Sequence, residues 1–199
     1  MYNTKEIRWF SSRPSSFIMD WFNKQGLTFD SVNQRNDIYL NIKNESVGIK
    51  LRDGHLEIKH RIGKPTTVKL TNTIKGHFKE WNKWRIKADE TDSVFSELAV
   101  KNHQEWIAKK KERIGLKLYS DKGSLKTTSI DWQGDFGCQI EYSRIHIKDK
   151  TWYTFGLEWF GHEFLNLDST LISEITGETN FRLRQSMGYP TFLSLKKIT

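Results

Sequence analysis

Residues Gly48 to Ile62 read GIKLRDGHLEIKHRI, two alternating segments folded back across Asp53-Gly54. An Asp-Gly pair suits a type I′ turn, which needs positive φ at both central residues. Side chains alternate along a strand, so Ile49 and Leu51 share a face opposite Lys50 and Arg52. By the same rule Leu56, Ile58 and Ile62 oppose Glu57, Lys59 and Arg61. The spacing predicts a β-hairpin with one apolar face and one face carrying four cations and a carboxylate. Whether that charged face meets water or encloses a ligand is the question on which function turns.

At 199 residues the chain suits one domain spanning 1–199, with a substantial core. Eight Trp, twelve Phe and six Tyr supply that core, so the low overall hydropathy does not signal disorder. A net charge of +8 favours anionic partners such as polyphosphates, nucleotides, nucleic acid or an anionic membrane surface, and does not choose among them. The single cysteine, Cys138, has no partner for an intramolecular disulfide and reads as a small buried hydrophobe. No stretch approaches the roughly 20 apolar residues that span a bilayer, and no basic-then-apolar leader pattern opens the sequence. The reading is a soluble, cytoplasmic protein without a membrane partner, of undetermined oligomeric state.

The hairpin's alternation recurs along the chain. In residues 4–10, Thr4, Glu6 and Arg8 oppose Ile7 and Trp9, and in Asp37 to Lys43, Ile38, Leu40 and Ile42 oppose Asp37, Tyr39, Asn41 and Lys43. Ser15 or Ser16 caps a predicted helix through Phe17, Ile18, Trp21 and Phe22 that stops near Gly26. Pro65 separates the hairpin from a further strand over Val68 to Leu70. From Gly76 to Lys87 helix and strand patterns compete; if Trp84 to Lys87 is a strand, Arg85 and Lys87 share a face. Asp92 to about Lys111 reads as an amphipathic helix whose basic end, Lys109 to Lys111, is solvated. Ile114 to Tyr119, Leu125 to Asp131, Cys138 to Ile145 and Thr151 to Phe160 follow as strands, the last two placing Glu141 and Glu158 opposite apolar faces. Helices are predicted over Ser169 to Ile175 and through Phe181 to Met187, before a short apolar end.

Many strands with late helices give an α+β fold class rich in antiparallel sheet. Lys, Arg or Glu recur at one parity in strand after strand. A sheet closed with those faces inward is an antiparallel β-barrel, a polar tunnel with peripheral helices. The alternative is an open sheet with a solvated charged face. A closed tunnel of cations needs carboxylates, anions or metal ions to neutralise it, and its chemical use would be phosphoryl transfer to water.

The order of these segments resembles the CYTH domain of triphosphate tunnel metalloenzymes, a family that includes one class of adenylate cyclases, thiamine triphosphatases and inorganic triphosphatases. Glu6-Ile7-Arg8 is similar to the latter part of that family's ExExK strand, and Asp37-Ile38-Tyr39, Ile49-Lys50-Leu51-Arg52 and Leu56-Glu57-Ile58-Lys59 are similar to the strands that follow it. Arg85 with Lys87, Arg113 with Lys117, Ile140-Glu141 and Leu157-Glu158 fall in the order of its later strands, and Ser186-Met187-Gly188-Tyr189-Pro190 with Phe192-Leu193 resembles its terminal segment. The resemblance implies a small-molecule triphosphate or other organophosphate held by Arg8, Lys50, Arg52, Lys59, Arg61, Arg85, Lys87 and Lys117. It further implies Mg²⁺ or Mn²⁺ on Glu6, Glu141 and Glu158, with Glu6 and Glu158 catalytic in metal-dependent hydrolysis. Thr4 stands where the motif has its first glutamate, and Arg8 where it has lysine. The first change removes a metal ligand, and arginine stays protonated, so it is no base.

Two other classes remain beside the hydrolase: a polyphosphate- or nucleotide-binding module without catalysis, and a single-stranded nucleic-acid binder in which Trp81 and Trp84 stack bases beside Arg85 and Lys87. Tryptophans in that setting more often cover the outside of a barrel, which makes nucleic acid the less favoured partner. The six histidines show no zinc spacing, and His162 reads as a surface residue or one near a tunnel mouth. No GxSxG elbow or GxxxxGK[ST] loop occurs.

Overall fold

The computed structural model describes residues 1–29, 34–87 and 106–195. Nine strands are described: β1 (Tyr2–Ser11), β2 (Gln34–Leu40), β3 (Val47–Arg52), β4 (His55–Lys69), β5 (Lys75–Lys87), β6 (Trp106–Asp121), β7 (Ser124–Ser129), β8 (Phe136–Ile147) and β9 (Lys150–Gly161). Their order is β2-β3-β4-β5-β1-β9-β8-β6-β7, and β2 also pairs with β6, so eight of them close into an antiparallel barrel. β6 makes closure possible by its length: Trp106 to Glu112 pairs with β2, and Leu116 to Asp121 pairs with β7, which lies outside the ring. The β3–β4 hairpin turns at Asp53 and Gly54, both at positive φ (49° and 68°), as a type I′ turn requires.

Among the described residues three helices accompany the barrel. Helix α1 (Ser16–Lys24) is capped by Ser15, whose side chain accepts from the Ile18 amide. Helix α2 (Ser169–Thr176) is capped by Asp168 in the same way, and ends at Gly177, φ 51°. Ile18 and Phe22 of α1 and Ile172 and Ile175 of α2 join the outward side chains Ile7, Trp9, Ile140, Tyr142, Phe155 and Leu157 in one core. Trp9 is fully buried there, stacked with Phe155 and Phe181 at 5.8 and 5.2 Å, its indole N–H donating to the Lys75 carbonyl at 2.7 Å. Helix α3 (Tyr189–Leu195) belongs to a second core. Its Tyr189, Phe192 and Leu193 cluster with Phe10, Tyr39, Ile107, Ile145 and Ile147, which lie at the inward parity of their strands. An apolar stopper therefore closes one end of the barrel, with Phe10 and Phe192 stacked 4.0 Å apart.

Four sequence expectations change. Pro65 does not end a strand: β4 continues through it because a bulge between Ile62 and Thr66 takes the imide out of the hydrogen-bond ladder. Gly76 to Lys87 is strand throughout. The helix expected over Asp92 to Lys111 falls largely on 88–105, outside the described residues, and its last turn is the start of β6. Finally, Phe181 to Met187 is no helix. Phe181 bridges Ile74, Ser186 bridges Trp9 and the Met187 amide donates to the Arg8 carbonyl at 3.0 Å, so the barrel wall captures the polar backbone groups a helix would use. Only a 3-10 turn, Leu183–Gln185, interrupts that segment. Among the described residues no helix is long and apolar enough to cross a membrane.

Trp9 joins strand, helix and C-terminal segment, so Trp9→Ala is expected to lower the free energy of unfolding by about 3–5 kcal/mol. Urea denaturation measures it; a loss below about 1 kcal/mol would show that the outer core does not depend on this ring.

Candidate functional site

Alternation turns one side-chain set of every barrel strand inward, and beyond the apolar stopper the sequence makes those sets mostly polar. The register places Glu6 directly opposite Glu158, Lys59 opposite Lys83, and Arg35 opposite Lys111. The result is a cavity of about 840 Å³. Among the described residues nine basic side chains line it (Arg8, Arg35, Lys50, Arg52, Lys59, Lys83, Lys111, Arg113 and Lys117), against five carboxylates (Glu6, Glu57, Asp135, Glu141 and Glu158). Tyr189 and Pro190, at the head of α3, lie at the stoppered end, while Trp132, Gln133, Asp135 and His162 contribute from loops.

Arg8 is the centre of the ion-pair network. Its Nε lies 2.6 Å from Glu6 Oε1 and its Nη1 2.9 Å from Glu141 Oε1. Gly156 faces Arg8 across the β1–β9 pair and Glu141 across the β8–β9 pair. A Cβ at Gly156 would sit 2.7 Å from Arg8 Cζ, so the absence of a side chain there is what lets the guanidinium lie flat against the wall. Glu6 also accepts from Lys59 at 2.9 Å, and Glu141 from Lys111 at 2.7 Å with Arg113 3.7 Å away. Glu57 holds Lys50 at 2.8 Å together with Arg52, and Glu158 holds Lys83.

Carboxylates shared among several cations leave the cations under-compensated, and burial exposes the deficit. Desolvation pushes the Lys50 ammonium down to about 8 although Asp37 and Glu57 oppose the shift. Desolvation also lowers Lys111 well below the ordinary lysine range despite Glu141, and lowers Lys83 despite Glu158. The carboxylates move the other way: burial would raise Glu6 and Glu141, but Lys59 and Arg8 on the first and Lys111 and Arg8 on the second hold both well below the ordinary glutamate value. Several buried donors of this lining have no hydrogen-bond partner among the described residues, namely Arg52 Nε, Trp81 Nε1, Thr4 Oγ1, the Tyr189 hydroxyl and Arg35 Nε, the last 3.5 Å from Asp37. The chamber is short of acceptors and of negative charge.

The inward set collects most of the residues the sequence singled out. Arg8, Lys50, Arg52, Lys59, Lys117, Glu6, Glu141 and Glu158 all line the cavity. Arg61, Arg85 and Lys87 do not: Arg61 donates to Ser46 at 2.9 Å, Arg85 is half exposed and 3.9 Å from Glu57, and Lys87 is exposed at the end of β5. Their parity is inward, but Arg85 and Lys87 lie at the end of β5, past the cavity, and Arg61, mid-strand in β4 opposite Trp81, is drawn to Ser46 instead. Sequence reasoning missed Arg35, Lys83 and Lys111 as lining residues. The 109–111 run carries lysines at both parities, which looks like a solvated helix end. Barrel closure separates them, leaving Lys110 outside and burying Lys109 and Lys111. Lys109 lies 3.3 Å from Asp37 and 3.7 Å from the centre of the Tyr189 ring. Trp81, expected on the exterior, is buried in the lining with Lys59 5.4 Å from its ring centre.

The donor set does not fit a resident divalent cation. Such an ion takes about six oxygen ligands, and among the described residues no three His, Cys, Asp or Glu side chains come together to supply them. Glu6, Glu141 and Glu158 are each engaged by lysine or arginine, and Thr4 offers a hydroxyl where a further carboxylate would be needed.

No family model matches the sequence, and no curated protein matches it. Among solved structures, a candidate adenylate cyclase from Bacillus halodurans aligns with 100% of this chain and 93% of its own at 8% identity, with a TM-score of 0.35. The binding domain of botulinum neurotoxin serotype D aligns with 87% of this chain and 36% of its own at 14% identity, with a TM-score of 0.16.

Glu141→Gln leaves Arg8, Lys111 and Arg113 without their shared counter-charge and is expected to lower stability by about 3–5 kcal/mol. Because the native carboxyl is held below its unfolded value, its contribution is complete above the ordinary glutamate value and lost as the pH falls through the native one. Urea denaturation from pH 7 to pH 3 should therefore show a steep acid loss in the wild type and a shallower one in the variant.

Proposed function

We propose that this barrel is a binding chamber for a small molecule carrying a triphosphate or related polyphosphate group, in a divergent form of the CYTH-like tunnel architecture. The carrying observation is the excess, among the described residues, of nine basic side chains over five carboxylates lining a cavity of about 840 Å³. That volume suits a small-molecule ligand. Phosphate oxygens supply the missing charge and accept from the orphaned donors; arginine meets them through its fork of N–H groups and lysine as a point charge. A threading single strand of nucleic acid is disfavoured because α3 and its apolar stopper occupy one end.

Hydrolysis needs a group that activates water. Glu6, Glu57, Glu141 and Glu158 are all held by cations, and Asp135, the remaining lining carboxylate, is exposed in a loop. The geometry thus favours recognition without turnover. Metal-dependent hydrolysis is the second reading, motivated by the facing pair Glu6 and Glu158.

Calorimetric titration with tripolyphosphate is the test. Binding is expected to weaken as salt rises and to take up protons near pH 8, where an anion beside Lys50 restores its charge. Proton uptake is read from the dependence of the heat on buffer ionisation enthalpy. Absence of binding would overturn the proposal. Phosphate release from tripolyphosphate, ATP or thiamine triphosphate with Mg²⁺ or Mn²⁺ would establish the second reading.

A further inference from the structure

Glu6 and Glu158 face each other across the β1–β9 pair and both point into the cavity, which makes them the natural trap for a cation in this barrel. That trap is already filled by the chain itself. Lys59 Nζ lies 2.9 Å from Glu6 Oε2 and Lys83 Nζ donates to Glu158 Oε1, while each ammonium is near enough to the other glutamate to feel its charge. Aromatic faces fix both lysines from behind: Lys59 sits 5.4 Å from the centre of the Trp81 ring and Lys83 5.8 Å from that of Tyr2. Arg8 takes the remaining oxygen of Glu6, and Thr4, next along the same face of β1, adds only a buried hydroxyl with no hydrogen-bond partner among the described residues.

We infer that the Lys59–Lys83 ammonium pair, seated between Glu6 and Glu158, is a built-in substitute for a divalent cation, so that this lumen binds phosphate without metal. The inference rests on the phosphate-chamber reading only for what the pair does to a ligand; the exclusion of the metal stands on the quartet alone. Two ammonium groups on paired strands offer phosphate oxygens positive charge as a metal would, but supply neither coordination sites nor acidified water. Burial works against charge on both lysines; Glu6 and Glu158 outweigh it at Lys59 and raise its pKa, whereas at Lys83 burial prevails and lowers it.

Titration of the wild-type protein with Mn²⁺ alone, followed by electron paramagnetic resonance, is expected to show no site tighter than the millimolar range. Lys59→Met with Lys83→Met is expected to gain Mn²⁺ affinity by at least about tenfold, and adding Glu158→Gln should abolish the gain. Lys59→Met alone serves if the double variant fails to fold. A wild-type micromolar Mn²⁺ site removed by Glu6→Gln would overturn the inference. Tripolyphosphate affinity should also agree within about threefold between chelator and Mg²⁺; binding that requires the metal would overturn the inference and leave the phosphate chamber standing. If tripolyphosphate binds under neither condition the chamber reading fails, and the Mn²⁺ titration still decides the ammonium pair.

Discussion

A barrel that turns basic side chains inward must neutralise them without the help of bulk water, and the Arg8 guanidinium, clamped between Glu6 and Glu141, is where that demand is met most tightly. Charges buried in this way stabilise a fold only when their partners are well placed. Here the placement depends on Gly156, whose missing side chain gives the guanidinium room to reach across a strand. The pairing is incomplete by design of the sequence: each of Glu6, Glu57 and Glu141 serves more than one cation. Burial depresses the lysine pKa values against the pull of these shared carboxylates, and several donors of the lining have no hydrogen-bond partner among the described residues.

The apolar architecture exists to hold that polar chamber. The outer core fixes α1 and α2 against β1, β8 and β9, the strands that carry Glu6, Arg8, Glu141 and Glu158. The stopper made by α3 does a second job, since Tyr189 belongs both to the apolar cluster and to the cavity lining. Its ring lies within 5.2 Å of Arg8 and 3.7 Å of Lys109, so apolar and charged layers meet at one aromatic side chain.

Much of this was legible because a strand's period is two and the inward positions are so strongly polar. The hairpin at Asp53-Gly54, the shared face of Thr4, Glu6 and Arg8, and the parity of Glu141 and Glu158 all follow from local alternation. Reading failed where one local pattern fits two structures. Lys109 to Lys111 looks the same at a helix end and on a strand between lumen and solvent, and Phe181 to Met187 has helical spacing but meets a barrel wall that takes its backbone groups. Pro65 looked like a terminus because the bulge that accommodates it is a property of the pair, not of the strand.

By itself the sequence determined that one face of each of many strands is charged, that the opposite faces are apolar, and that the charged faces together carry excess positive charge, since alternation and composition are local quantities. Only the tertiary structure decided that β2 meets β6 to close the ring, that Lys83 and Lys111 join the lining while Arg61, Arg85 and Lys87 fall beyond it, and that the lining carboxylates Glu158 and Glu141 pair with ammonium groups of other strands. Closure, register and the depth of each side chain in the barrel depend on strands far apart in the chain. Electrostatic partnership depends on those three together, so no stretch of sequence contains it.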